Sequence, residues 1–348
     1  MSQPDNRESF KLAVVAPCYN EEAGLPEFVR RLKAVCEQLG CHYEIVLVND
    51  GSRDRTLPVA LELAAKDANL RVVNLLRNFG HQAAVTAGLD LVSGDAVVLI
   101  DSDLQDPPEV IVEMVAEWKK GADVVYGQRR TREGETPFKL FTARLFYRLL
   151  KRMTKSNIPA DTGDFRLMDR RIVGVLRGMR EHHRFIRGMV SWVGGKQVAV
   201  LYDRKPRFAG DTKYPFRKMF TFAVDAITSF SVVPLRIVTF LALFIISLAL
   251  AATAIVLLVK LLYPGYFIPG FPAIILTITF FSGCQLLALG IIGEYLGRLY
   301  ESSKARPLYI VGSVYPPMEV ENTSETASQV LPNRFCVEQA SGGKAEPR

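Results

Sequence analysis

Short apolar runs alternate with amphipathic stretches over the first 130 residues, and no other feature constrains the fold as much. Leu12–Ala16 (LAVVA), Glu44–Val48, Arg71–Leu75, Ala96–Ile100 (AVVLI) and Val124–Tyr126 read as strands. Runs rich in Val, Ile and Leu at consecutive positions mark strands buried on both faces. Between the first two, Leu25–Leu39 places Leu25, Phe28, Val29, Leu32 and Val35 at helical spacing. Asp54–Ala65 and His81–Val92 read as further helices. Asp106 reads as the cap of the next one, with Pro107 at its first position and Glu109 one turn in. This order implies an α/β fold of Rossmann-like type, with a mainly parallel sheet covered on both faces.

In such sheets ligands sit beyond the carboxyl ends of the strands. Three polar clusters fall there: Pro17-Cys18-Tyr19-Asn20-Glu21-Glu22, Asn49-Asp50-Gly51-Ser52, and Asp101-Ser102-Asp103-Leu104-Gln105. Asp101 and Asp103, at i and i+2 with no Cys or His beside them, form a hard oxygen site suited to Mg²⁺ or Mn²⁺. Gln105 reads as a neutral oxygen ligand to the same ion. A cation held this way usually clamps a diphosphate. An Asp-Gly pair such as Asp50-Gly51 is commonly no more than a turn. On the same rim as two other aspartates, Asp50 can instead accept from a nucleobase imide N–H or a ribose hydroxyl. His81 reads better as a half-buried or capping histidine than as a ligand. No GxGxxG follows a strand, and no GxxxxGK[ST], Ser-His-Asp or HExxH pattern occurs.

The pattern loosens from about residue 131 to 214 and becomes rich in Arg and Lys. Phe138–Met153 reads as a helix with Arg144 and Arg148 one turn apart, and Asp161–Arg166 as a polar turn. Gly210–Tyr214 is a second turn, with Lys213 near headgroup level. Phe216–Val233 suits a helix lying in a membrane interface. Two uncharged stretches follow, Ile237–Val259 and Ala273–Gly293. Each reaches the roughly 20 residues needed to cross a bilayer. Arg217, Lys218 and Arg236 flank the first, and Arg298, Lys304 and Arg306 follow the second. The positive-inside rule then puts both ends in the cytoplasm. A hydrophobic fraction of 49% over 348 residues agrees with membrane attachment. A net charge of +7, from 43 basic and 36 acidic residues, is too mild to argue for nucleic acid, and none is expected as a partner. Five scattered cysteines form no CxxC and read as reduced thiols. The polar N-terminus has no signal-peptide core.

The segments Pro17–Glu22, Asn49–Ser52, Asp101–Glu109, Thr162–Arg170 (TGDFRLMDR) and Ile292–Pro307 together resemble a known family. It is the family 2, GT-A fold glycosyltransferases that act on polyprenyl phosphates, and within it most of all the bactoprenol glucosyltransferases. Dolichol-phosphate mannose synthase is a relative. The resemblance runs from about residue 10 to 312. It implies that Pro17, Tyr19, Asn20, Glu21, Asp50, Gly51, Ser52 and Asp101 bind the nucleotide sugar. Asp101, Asp103 and Gln105 would hold Mg²⁺ or Mn²⁺. Arg129, Arg144, Arg207 and Lys213 would lie near the acceptor and donor phosphates. Asp164 would be nearest the reacting sugar, a catalytic residue with Asp101 and Asp103.

The implied reaction is inverting transfer of glucose from UDP-glucose to undecaprenyl phosphate, for surface glycans of the cell envelope. GDP-mannose, UDP-N-acetylglucosamine or UDP-formamido-arabinose are alternative donors, and a non-catalytic membrane scaffold is an alternative role. The absence of QxxRW argues against a processive polysaccharide synthase. The expected organisation is a cytoplasmic catalytic domain over residues 1–214 and an interfacial helix over 215–235. Two transmembrane helices would follow within 236–294, in a bacterial inner membrane. A cytoplasmic segment over 295–348 would end the chain, disordered after about 316. A homo-oligomer is expected, and the family implies a flippase and a downstream transferase.

Overall fold

The computed structural model describes residues 7–130, 162–182, 184–203, 233–262 and 270–316. The expected helix over 138–153, the Gly210–Tyr214 turn, the interfacial helix over 216–232 and the tail after 316 lie outside the described residues. The chain divides into two compact units, Met1–Leu104 with Tyr309–Arg348, and Gln105–Leu308.

In the first unit β1 (Lys11–Cys18), β2 (His42–Asn49), β3 (Leu70–Leu75) and β4 (Ala96–Leu99) lie in the order β4-β1-β2-β3, all parallel. Val14 sits beside Ile45 on one side and Val98 on the other. All four residues of β4 are buried, as its unbroken apolar run requires. The helices α1 (Leu25–Leu39), α2 (Thr56–Ala64) and α3 (His81–Leu91) connect the strands. The five apolar positions expected to face inward from α1 are all buried, and Cys36 joins them.

Helix α3 packs on β1 and β2 through a glycine. A Cβ at Gly88 would lie 2.3 Å from Val15 Cγ1 and 3.1 Å from Val48 Cγ2. Close-packed interiors do not absorb an added methyl group without strain. Gly88→Ala is therefore expected to destabilise the protein by about 1–3 kcal/mol. A thermal midpoint unchanged from the parent protein would refute this close contact.

The second unit enters through a 3₁₀ turn at Pro108–Val110 and α4 (Ile111–Lys119). β5 (Val124–Arg129) runs antiparallel to β6 (Thr162–Asp169) and parallel to β7 (Gln197–Tyr202). Helices α5 (Arg170–Gly178) and α6 (Ile186–Val193) lie between β6 and β7 in sequence. Two sequence expectations are corrected here. The helical turn begins at Pro108 rather than at Pro107, which is extended at φ −68°, ψ 123°. The Asp106 carboxylate is 1% exposed and accepts from the Tyr202 hydroxyl at 2.5 Å. The expected polar turn at Asp161–Arg166 is, from Thr162 onward, a fully buried strand. Its charges are tolerated because each finds a partner. Asp169, for example, accepts from Trp118 Nε1 and from the backbone N of Arg171, both at 3.0 Å, and so caps α5.

Both long apolar stretches are helical, in α7 (Val233–Leu262) and α8 (Phe271–Ser303). At 30 and 33 residues they measure about 45–50 Å. Among the described residues one segment, Phe280–Ser303, is long and apolar enough to cross a membrane, against the two crossings expected. The chain then returns to the first unit. β8 (Val311–Tyr315) pairs antiparallel with β3, an edge strand that the sequence reading left out.

Candidate active site

The parallel register of β1, β2 and β4 brings Cys18, Asn49 and Leu99 to the same end of the sheet. The three expected polar clusters of the first unit therefore share one rim. They are stitched to each other by reciprocal bonds. Asn20, at φ 55°, donates its N–H to Ser52 Oγ at 3.1 Å and accepts from Arg53 N at 2.9 Å. Glu21 N donates to Thr56 Oγ1 at 2.8 Å, and Arg55 N donates to Glu22 Oε2 at 2.8 Å. Asp54 accepts from the backbone N and hydroxyl of Thr56 and from Glu22 N. Tyr19 stands 41% exposed at the mouth, and Pro17 is buried, its carbonyl accepting from Ser102 Oγ at 2.9 Å.

Asp50 is 3% exposed and grips a loop. Its two oxygens accept from Phe79 N at 2.7 Å and Gly80 N at 3.0 Å. Burial pushes its pKa up, while those two amides and the nearby His81 and Arg77 charges pull it down. Each carboxylate oxygen has a further lone pair, so the grip is compatible with accepting from a ligand as well. Gly51, at φ 60°, lies directly against that loop: a Cβ there would fall 2.5 Å from Arg77 C and Asn78 N. The Asn49 amide donates to Asn74 Oδ1 at 2.7 Å, tying β2 to β3 below the loop.

Beyond β4, Ser102 points inward at 3% exposure, while Asp101 and Asp103 on either side are half-buried. Both carboxylates therefore keep part of their surface open beside a buried serine. His81 Nε2 lies 3.7 Å from Asp101 Oδ1, which makes this histidine a rim residue rather than a cap. Among the described residues no three His, Cys, Asp or Glu side chains group as a metal site. The donor chemistry still fits Mg²⁺ or Mn²⁺, since Mg²⁺ is commonly held by one or two carboxylates plus substrate phosphates. Cys18 beneath the rim is inert, its thiol pushed up to about 12 by burial.

The remaining site residues belong to the second unit. Gln105 opens it, half-buried. Arg129, half-buried at the end of β5, places Nη2 within 3.2 Å of where a Gly163 Cβ would stand, and its charge lies near the Tyr202 hydroxyl. Asp164 is 4% exposed. Arg187 on α6 holds it in a fork, Nε at 2.7 Å and Nη2 at 3.4 Å, and donates Nη1 to Thr162 O at 3.1 Å. Arg166 is equally buried and bonds the carbonyls of Gly163 and Asp164. Burial lowers its pKa to about 10, Asp164 opposing the shift and Arg187 adding to it. A carboxylate clamped in this way is a fixed counter-charge, not a free base. Arg144, Arg207 and Lys213 lie outside the described residues.

Three features of these two sites escaped sequence reasoning: the Arg77–Gly80 loop with His81, the Arg187 fork and the return of β8. The first had a signal, because Arg77–Gly80 follows β3 and so reaches the same rim as the other clusters.

Residues 13–176 match the model of glycosyl transferase family 2. A protein of Synechocystis named as an uncharacterized glycosyltransferase is 47% identical over 90% of this chain and all of its own length. The bactoprenol glucosyl transferase of Shigella phage SfV is 40% identical over 86% of this chain and 98% of its own. Among solved structures, glucosyl-3-phosphoglycerate synthase of Mycobacterium tuberculosis with Mn²⁺, UDP-glucose and phosphoglyceric acid is 19% identical, at a TM-score of 0.45. It covers 64% of this chain and 79% of that one. With its mainly parallel GT-A-like sheet and polar carboxyl-end rim, the chain belongs to glycosyl transferase family 2 and is a glycosyltransferase.

Proposed function

We propose that the protein transfers glucose from UDP-glucose to undecaprenyl phosphate, with inversion, at the cytoplasmic face of a bacterial inner membrane. The observation that carries this reading is the near full-length similarity to bactoprenol glucosyl transferases. The organisation read from the sequence goes with it: a catalytic part up to about residue 214, then an interfacial helix, then two crossings. Large apolar side chains stand exposed along both long helices, among them Phe240 and Leu261 on α7 and Ile278 and Leu286 on α8. In water such surfaces are costly, and in lipid they are satisfied.

The chemistry suits the residues. A phosphate monoester with second pKa near ~6 is mostly a dianion at neutral pH, so the acceptor needs no strong base. Asp164 accordingly serves as a held counter-charge, orienting its neighbourhood rather than taking a proton. Asp50 and the loop it grips bind the nucleotide. Asp101 and Asp103, with Gln105, provide the oxygens for Mg²⁺ or Mn²⁺, which when bound offsets the negative charge of the donor diphosphate. Arg129, with Arg144, Arg207 and Lys213 by resemblance, draws the acceptor phosphate toward that diphosphate against their mutual repulsion. Confining the acceptor to the headgroup plane cuts the search to two dimensions and pre-orients attack. A homo-oligomer completes the membrane portion, and a flippase and a later transferase use the product.

The test is a panel of labelled nucleotide sugars with undecaprenyl phosphate and purified protein. Label from UDP-glucose should enter the lipid fraction at least about tenfold faster than label from the other donors. Preference for GDP-mannose, UDP-N-acetylglucosamine or UDP-formamido-arabinose would replace the sugar and keep the reaction. No lipid label from any donor would overturn the reading.

A further inference from the structure

The segment that returns from α8 grips both elements flanking the Arg77–Gly80 loop. Tyr309, 8% exposed, donates its hydroxyl to Asp90 Oδ2 on α3 at 2.7 Å. The next carbonyl, that of Ile310, accepts from Leu76 N at 3.0 Å. β8 then runs along β3 with Val311 opposite Leu75, Ser313 opposite Asn74, Val314 opposite Val73 and Tyr315 opposite Val72. Leu76 leads into the loop, and α3 begins with His81 directly after it. The loop is thus spanned between a strand and a helix that one returning segment holds together. Its own contacts point the other way, to Asp50 through the amides of Phe79 and Gly80 and to Gly51 through the backbone of Arg77 and Asn78.

We infer that Tyr309 and β8 are positioning residues for the nucleotide site, setting the spacing of β3 and α3 and with it the loop that Asp50 and Gly51 meet. The segment also covers what would otherwise be an open edge at β3. Deleting everything after residue 233 removes β8, so nucleotide binding should fall together with lipid glycosylation.

The inference rests on the proposed donor site for its binding arm and on the fold alone for its exchange arm. The full-length protein is compared with Tyr309→Ala and Tyr309→Phe by amide hydrogen exchange and by calorimetry with UDP and Mn²⁺. In Tyr309→Ala the amides of Phe79 and Gly80 should exchange about tenfold faster, those of α1 should not change, and UDP should bind about tenfold more weakly. Tyr309→Phe keeps the ring packed and should show about a threefold effect on both readouts. The Michaelis constant for the donor should rise in both variants while kcat at saturating donor holds. Unchanged exchange at Phe79 and Gly80 in both variants would overturn the inference. If Tyr309→Ala loosens α1 as well, the same two amides in Tyr309→Phe decide. A parent protein that binds no UDP would sink the donor reading while the exchange comparison still decided this one.

Discussion

Asp103→Asn is expected to slow sugar transfer about a hundredfold to a thousandfold while leaving the thermal midpoint near that of the parent. The substitution keeps shape and removes one charge from a half-buried side chain beyond the carboxyl end of β4. Preorganised charges opposite developing charge are worth about 3–4 kcal/mol each, which sets the size of the loss. Asp101→Asn should be similarly damaging, and it also alters the pair with His81. The measurement is labelled lipid formed per minute at saturating Mg²⁺ and again at saturating Mn²⁺. Full turnover in either would remove Asp103 from the reaction.

Gly51→Ala should be the most damaging single methyl group on the rim. A left-handed φ of 60° costs an L-residue about 1–2 kcal/mol. The added Cβ would also meet backbone atoms of Arg77 and Asn78 at 2.5 Å, and backbone cannot swing aside as a side-chain tip can. The loop must shift, and the amides that bond Asp50 shift with it. UDP affinity is expected to fall more than about tenfold, with a thermal midpoint lower by several degrees. Gly40 supplies the internal control. Its φ is 62°, yet nothing lies within 4 Å of its missing Cβ. Gly40→Ala should carry the conformational cost alone and leave UDP binding intact. Equal losses of UDP affinity in both variants would show that the contact with the loop is unimportant.

The helix Leu25–Leu39 and the strands over the first 100 residues were legible because their burial is written in local periodicity. Apolar residues at 3.6 or consecutive spacing report which face is covered, whatever covers it. The rim followed from the parallel order, since strand ends on one side of a parallel sheet must coincide. β6 was illegible for the opposite reason. TGDFRLMD contains three charged residues and reads as a turn, and Arg187 and Trp118 arriving from elsewhere, with Arg171 just beyond its end, make its burial tolerable. The deep burial of Asp106 was illegible too, because the Tyr202 hydroxyl that it accepts from comes from β7. β8 has the sequence Val-Gly-Ser-Val-Tyr, too short and too mixed to announce an edge strand, and its partner β3 lies more than 200 residues away.

The order of elements over the first 130 residues, the rim that this order implies, the two apolar helices and the membership in a glycosyltransferase family were determined by the sequence itself, because each is carried by local patterns along the chain. The tertiary structure alone decided how deeply each carboxylate is buried. Asp164 and Asp106 are buried against groups distant in the chain, Arg187 and Tyr202, while Asp101 and Asp103 are half-buried. Pairing of a buried charge depends on what comes within about 3 Å of it, and residues far apart in sequence supply those neighbours.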